Sequence, residues 1–282
     1  MAEIISGKTL ASKIKQEVKQ EIEQLGIKPS FVIVQIGNNP ASNTYVRNKI
    51  KDCQECGIES HLYRYDSSIT QDSLEDFFER TSANKSINAL MLQLPIPKHL
   101  NAQKIIDKIA PEKDVDGLTT LNNGLLVTGQ NSFIPCTAAG CMEMIHSTGI
   151  DITGKNAVVI GRSNIVGKPV AMQLLKENAT VTICHSHTIG LKEICRKADI
   201  LIVAVGKKNF VTADMVKSGA IVIDVGINVQ ENGKLCGDVN FNEVKEVAGY
   251  ITPVPGGVGL MTRAMLMKNI LEAAKCQLIK DI

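Results

Sequence analysis

Short apolar runs at 157–160, 180–184, 200–205 and 221–225 recur about every twenty residues along the chain. Runs this short and this rich in valine and isoleucine suit strands covered on both faces, which belong in a parallel sheet wrapped by helices. The spacing predicts an open, doubly wound Rossmann-like sheet. The first run breaks into Gly161-Arg-Ser-Asn-Ile-Val-Gly-Lys-Pro169. Gly161 permits a tight turn, Ser163 offers a hydroxyl, Gly167 allows close approach and Pro169 can begin a helix. Free N–H groups and the positive helix end at such a turn face an anion, so a dinucleotide phosphate would sit here. The spacing Gly161-x-Ser163-x-x-x-Gly167 departs from G-x-G-x-x-G, and an ordinary strand-to-helix turn is the competing reading.

The N-terminal part shows the same alternation. Ile14, Val18, Ile22 and Leu25 mark an amphipathic helix over 11–25, stopped by Gly26. A buried strand at 31–36, a turn-rich loop at 37–42 and a helix at 43–56 ended by Gly57 follow. A strand at 59–65, a helix at 71–82 and a strand at 89–94 complete an α/β pattern. The chain of 282 residues is long enough for two domains. The expected division is a catalytic domain over 1–120 and a nucleotide-binding domain over 121–261, with a last helix over about 262–282 packing back on the first. The stretch from 114 to 131 reads as loop, 137–149 as a connecting helix and 251–253 as a strand.

A net charge of +2, from 31 basic and 29 acidic residues, provides no field for nucleic acid. No apolar run reaches the roughly 18 residues of a membrane helix. The first residues lack a basic segment followed by an apolar core, so a cytoplasmic protein is expected. The eight cysteines are scattered, as reduced thiols would be. Cys53-x-x-Cys56 has no second pair at matching spacing, so no metal is expected.

Tyr45 and Lys49 lie four apart on the predicted helix, beside a core stripe of Val46, Ile50 and Cys53. A lysine on a solvated face is the plain alternative. Gln93 sits at the carboxyl end of an apolar strand, where open α/β sheets bind ligands, though it could equally bond loop backbone. Asp114 and Asp116 precede Gly117 in a turn that either could cap. In the second half, the strand at 180–184 ends in His185-Ser186-His187-Thr188, with no acid between Glu177 and Glu193. An NAD site expects such an acid for the ribose hydroxyls. Arg162 with hydroxyl or imidazole donors fits a 2′-phosphate instead, so NADP is the expected cofactor.

Ser42-Asn-Thr-Tyr45-Val-Arg-Asn-Lys49, Leu92-Gln-Leu-Pro-Ile-Pro97, Pro111-Glu-Lys-Asp-Val-Asp-Gly117, Pro135-Cys-Thr137, Gly161-Arg-Ser163 and Thr252-Pro-Val-Pro-Gly-Gly-Val-Gly259 stand in this order. Together they resemble the bifunctional methylenetetrahydrofolate dehydrogenase/methenyltetrahydrofolate cyclohydrolase family. One departure is Leu260, where many relatives have proline.

The resemblance implies a homodimeric enzyme of one-carbon metabolism, with tetrahydrofolate derivatives in a cleft between domains. It implies that Lys49 is the base or proton carrier, Gln93 its hydrogen-bonding partner and Tyr45 a ring packing on the folate. Asp116 would anchor the pterin N–H groups, and Gly257 would approach the substrate. Gly161, Arg162, Ser163, Ser186 and Ile227 would hold NADP. A monofunctional dehydrogenase and a silent NADP- or folate-binding regulator are the alternatives; Lys49 and Gln93 weigh against the first, and Lys49, Gln93 and Asp116 against the second.

Overall fold

The structure is a computed structural model that describes residues 1–231 and 233–280; residues 281–282 of the expected last helix lie outside them. The chain runs through β1 (Glu3–Ile4), α1 (Gly7–Leu25), β2 (Ser30–Ile36), α2 (Pro40–Cys56), β3 (Glu59–Tyr65), α3 (Gln71–Ala83) and β4 (Ala89–Leu92). Helices α4 (Ala102–Ile106), α5 (Thr120–Val127) and α6 (Cys136–His146) follow. Next come β5 (Asn156–Ile160), α7 (Gly167–Lys176), β6 (Thr180–Cys184), α8 (Leu191–Cys195), β7 (Ile200–Val203) and β8 (Ile221–Asp224). The hairpin β9 (Asn228–Val229) and β10 (Leu235–Cys236), α9 (Phe241–Val244), β11 (Tyr250–Ile251) and α10 (Val258–Lys280) complete it.

Two compact units emerge. One holds Ser12–Cys136 with the residues from Arg263 onward, and the other holds Met1–Ala11 with Thr137–Thr262. The division thus falls at 136/137, where the sequence suggests 120/121. The physical reason is α5, which occupies part of the stretch read as loop. Its glycine and two asparagines are poor helix formers. Thr119 nevertheless caps it by accepting from Asn122 N at 3.2 Å, and the Asn122 side chain donates to Pro111 O at 3.0 Å and Asp114 Oδ2 at 2.9 Å. The first residues also leave the expected domain, because Glu3 and Ile4 pair with Tyr250 and Ile251. A strand of two residues has no period for a sequence to display.

In the first unit, β3-β2-β4 form a parallel sheet in which Phe31 stands opposite Ser60 and Ala89. Val32, Val34, Leu74, Phe78, Leu90 and Ile105 form its core, and burying Phe78 alone stabilises by about 2–3 kcal/mol. The chain leaves β2 for β3 on one side and later places β4 on the other, so β2 and β4 flank a topological switch point. Helix α2 starts at Pro40, earlier than expected, because Asn39 supplies the cap, its Oδ1 accepting from Ser42 N at 3.1 Å. Gly57, with φ +80°, ends it, and Ile58 N donates to Cys53 O at 2.9 Å.

The second unit is a six-stranded sheet in the order β1-β11-β8-β7-β5-β6, with every neighbouring pair parallel. Strand β5 is followed by β6 on one side and β7 on the other, which puts the switch point between β5 and β7. Val158, Ile160, Leu201, Val203 and Val222 fill one face. Helix α10 begins at Val258, ahead of the expected Thr262, and Leu260 N donates to Gly257 O at 3.1 Å. The proline that many relatives carry has no N–H for this bond.

Candidate active site

In the first unit the switch point gathers chemistry. Lys49 projects from α2, which follows β2, while Gln93 follows β4 and still donates its backbone N–H to Val34 O at 2.8 Å. Lys49 Nζ donates to Gln93 Oε1 at 3.0 Å and meets Met91 Sδ at 3.5 Å, and the two polar residues are only 8% and 9% exposed. The plain alternative of a solvated lysine is therefore wrong. Gln93 Nε2 donates to Leu94 O at 2.7 Å, which fixes the amide with its oxygen toward the ammonium. An ammonium has three donors, and here it has one strong acceptor and a weak thioether. It keeps hydrogen-bonding capacity for a ligand.

The aspartates of the turn separate into two tasks. Asp114, 1% exposed, accepts from Leu118 N at 3.1 Å, Thr119 N at 2.8 Å and Asn122 Nδ2 at 2.9 Å, so it is the turn's internal cap. Asp116 is half-buried and receives none of these bonds. Burial pushes its carboxyl above the usual range, against the charge of Lys49, while Asp114 adds to the upward push. The Cys136 thiol lies beside this carboxylate and donates to Val115 O at 3.3 Å. Gly117 is at φ +68°, and a Cβ there would lie 2.6 Å from Phe133 O, so the turn admits no side chain.

Tyr45 lies one turn before Lys49 and is 39% exposed; burial of its inner part pushes the phenol up, against the charge of Arg263. Several contributors escaped sequence reasoning. Met91 precedes Gln93 by two residues, so the period of a strand could have placed both on one face. Ser42 shares Lys49's helix face, and its buried hydroxyl has no hydrogen-bond partner among the described residues. Asp52 also lies on α2 and binds Lys15 at 2.8 Å and Arg263 at 2.9 Å. No local signal joins three such distant positions. Cys53 and Cys56 are buried, and burial pushes their thiols up to about 12 and about 11, so both remain protonated.

In the second unit, Gly161 ends β5 at φ +130°, and a Cβ there would sink into the carbonyl oxygen of Ala204, just beyond β7. A Cβ on Gly167 would likewise meet the Gly161 carbonyl. These two glycines let the turn lie close across the switch point. Ser163 Oγ accepts from Val166 N at 3.1 Å and Gly167 N at 3.3 Å, which caps the approach to α7. Arg162 is exposed and has no ion pair among the described residues. Ser186 is exposed in a turn closed by Thr188, whose Oγ1 accepts from His185 N at 2.8 Å. Ile227 is 46% exposed, and Gly257 is buried with no room for a Cβ, which would lie 2.5 Å from Pro253 O.

The family model for the tetrahydrofolate dehydrogenase/cyclohydrolase catalytic domain matches residues 5–116, and that for the NAD(P)-binding domain matches 135–278. The chain belongs to this family. The catalytic-domain match of the tetrahydrofolate dehydrogenase/cyclohydrolase family includes Tyr45, Lys49, Gln93 and Asp116. The Bifunctional protein FolD of Agathobacter rectalis is 51% identical over 278 residues, covering 98% of this chain and 100% of the relative. The structure of the bifunctional enzyme FolD from Campylobacter jejuni has a TM-score of 0.95 at 45% identity, covering 98% of this chain and 99% of that one. The Trypanosoma brucei FolD, solved with NADP cofactor and inhibitor, has a TM-score of 0.93 at 37% identity, covering 98% of each chain.

Proposed function

We infer that the chain oxidises 5,10-methylenetetrahydrofolate to 5,10-methenyltetrahydrofolate with NADP and hydrolyses the product to 10-formyltetrahydrofolate. The observation that carries this reading, beside family membership, is the buried Lys49–Gln93 pair at 3.0 Å. An under-coordinated ammonium held by a fixed amide can relay the protons that addition of water to a methenyl cation requires. Asp116 accepts the adjacent N–H groups of the pterin, and its charge strengthens those bonds. The Tyr45 ring supplies an apolar surface for the folate. NADP supplies the acceptor for the hydride leaving the one-carbon bridge. The glycine turn, the exposed Arg162 and the acid-free end of β6 suit a phosphorylated ribose. Gly161, Arg162, Ser163, Ser186 and Ile227 contact this cofactor, and Gly257 brings backbone to the substrate. A homodimer is carried over from the family resemblance, and light scattering at twice the monomer mass would support it.

The decisive assay supplies methylenetetrahydrofolate with NADP, and NAD in parallel, while reduced cofactor and methenyl absorbance are followed. Absence of reduced cofactor under both conditions defeats the reading. Asp116→Asn is expected to raise KM for methylenetetrahydrofolate by about 10- to 100-fold, the worth of a hydrogen bond to a charged group. Because the Asp116 carboxyl is shifted upward, wild-type folate affinity should weaken on acidification as the carboxylate protonates, and the variant should lose that dependence. Unchanged KM in the variant would remove Asp116 from the site.

A further inference from the structure

Two buried carboxylates in the second unit take no part in the reaction described above. Asp224 closes β8 at 3% exposure, and Asp238 follows β10 at 0%. Asp224 Oδ1 accepts from Gly226 N and Asp238 N, each at 2.9 Å, and its Oδ2 accepts from Val239 N at 2.9 Å. Strand β8 therefore holds the backbone of Asp238 in place through its own last side chain. The Asp238 carboxylate then reaches two loops. Its Oδ2 accepts from Val205 N at 2.7 Å and Gly206 N at 2.9 Å, and its Oδ1 accepts from Lys207 N at 2.8 Å and Asn228 Nδ2 at 2.9 Å.

Those loops are the ones that matter for a nucleotide. Residues 205–207 follow β7 on one side of the switch point, directly after Ala204, whose carbonyl faces Gly161. Asn228 adjoins Ile227, one of the proposed cofactor contacts. The arrangement excludes side chains at Gly226 and Gly237, where a Cβ would overlap the Asp238 and Asp224 carboxylates respectively. Burial pushes Asp224 up to about 6 against the pull of its three N–H donors, so it stays ionised at neutral pH although its buried setting disfavours the charge. A position maintained in that way calls for a purpose beyond packing.

We propose that Asp238, seated by Asp224, is a positioning residue that holds the loops after β7 and β8 in the shape that receives NADP. The inference rests on the cofactor reading given above. Asparagine cannot replace Asp238, since each oxygen accepts from two donors and an amide NH2 in the place of either would turn its own donors toward them with no lone pair to offer. Asp238→Asn is expected to raise KM for NADP by about tenfold or more, given what hydrogen bonds to a charged acceptor contribute. KM for methylenetetrahydrofolate should stay within about twofold, a split that a general loss of structure would not produce. Hydrolysis of added methenyltetrahydrofolate and a thermal unfolding curve on the same preparation report whether the fold survives. The milder Asn228→Ala keeps the carboxylate and its backbone bonds, and should raise KM for NADP by roughly two- to fivefold, one neutral donor's share.

A KM for NADP within twofold of wild type in a folded Asp238→Asn enzyme overturns the proposal. Should that variant not fold, an unchanged KM in Asn228→Ala overturns it instead, and the two- to fivefold rise sustains it. A wild-type enzyme without NADP-dependent turnover defeats the cofactor reading itself, which is distinguishable because no variant is then needed.

Discussion

Lys49→Met is expected to lose hydrolysis of methenyltetrahydrofolate by about 10²- to 10⁴-fold, the span that a positioned proton carrier supplies. Methionine is unbranched like lysine, one atom shorter, and removes the charge. The site is 8% exposed, and its ammonium has one strong acceptor, so a neutral thioether fits the pocket without burying an unpaired charge. Gln93 keeps its bond to Leu94 O at 2.7 Å and loses a partner only at Oε1, which costs about 1–3 kcal/mol at most. The fold should therefore persist, and binding of a folate analogue should remain measurable by fluorescence or calorimetry. Near-wild-type decay of methenyl absorbance in a folded Lys49→Met protein would take the proton relay away from this residue.

Gly161→Ala should do the complementary damage. The backbone there, at φ +130°, lies in a region that L side chains rarely adopt, and the new methyl would collide with the Ala204 carbonyl, which belongs to the backbone and cannot rotate aside. Strain of about 1–3 kcal/mol must open the turn after β5. We expect kcat/KM for NADP to fall by about tenfold or more, since each 1.4 kcal/mol is a factor of ten. Methenyltetrahydrofolate hydrolysis by the same preparation is the comparison. Equal loss of both activities would mean that the substitution acts through global stability and not through the cofactor turn.

The two variants probe parts of the molecule that differ in how legible they were. The longer strands of the two parallel sheets and the longer helices could be read because valine and isoleucine runs and the 3.6-residue period are local properties. Helix α5 could not, because Asn122 and Gly124 argue against a helix until Pro111 and Asp114 supply partners from elsewhere in the chain. The turn containing Asp114 and Asp116 posed two equivalent acids. The family resemblance pointed to Asp116, and the hydrogen bonds from Leu118, Thr119 and Asn122 give the physical distinction by assigning the capping task to Asp114.

The order of residue types along the chain determined the α/β class, the parallel sheets, the glycine turn after β5 and, through six motifs in sequence, the family. Tertiary structure decided what depends on residues far apart meeting. Lys49 finds the Gln93 amide 44 positions away, β1 joins a sheet nearly the whole chain distant, and Asp238 gathers donors from 205–207 and 228. Periodicity carries no information about such meetings. Strand order sets them, because it fixes which carboxyl ends flank each switch point and which buried polar groups must satisfy one another there.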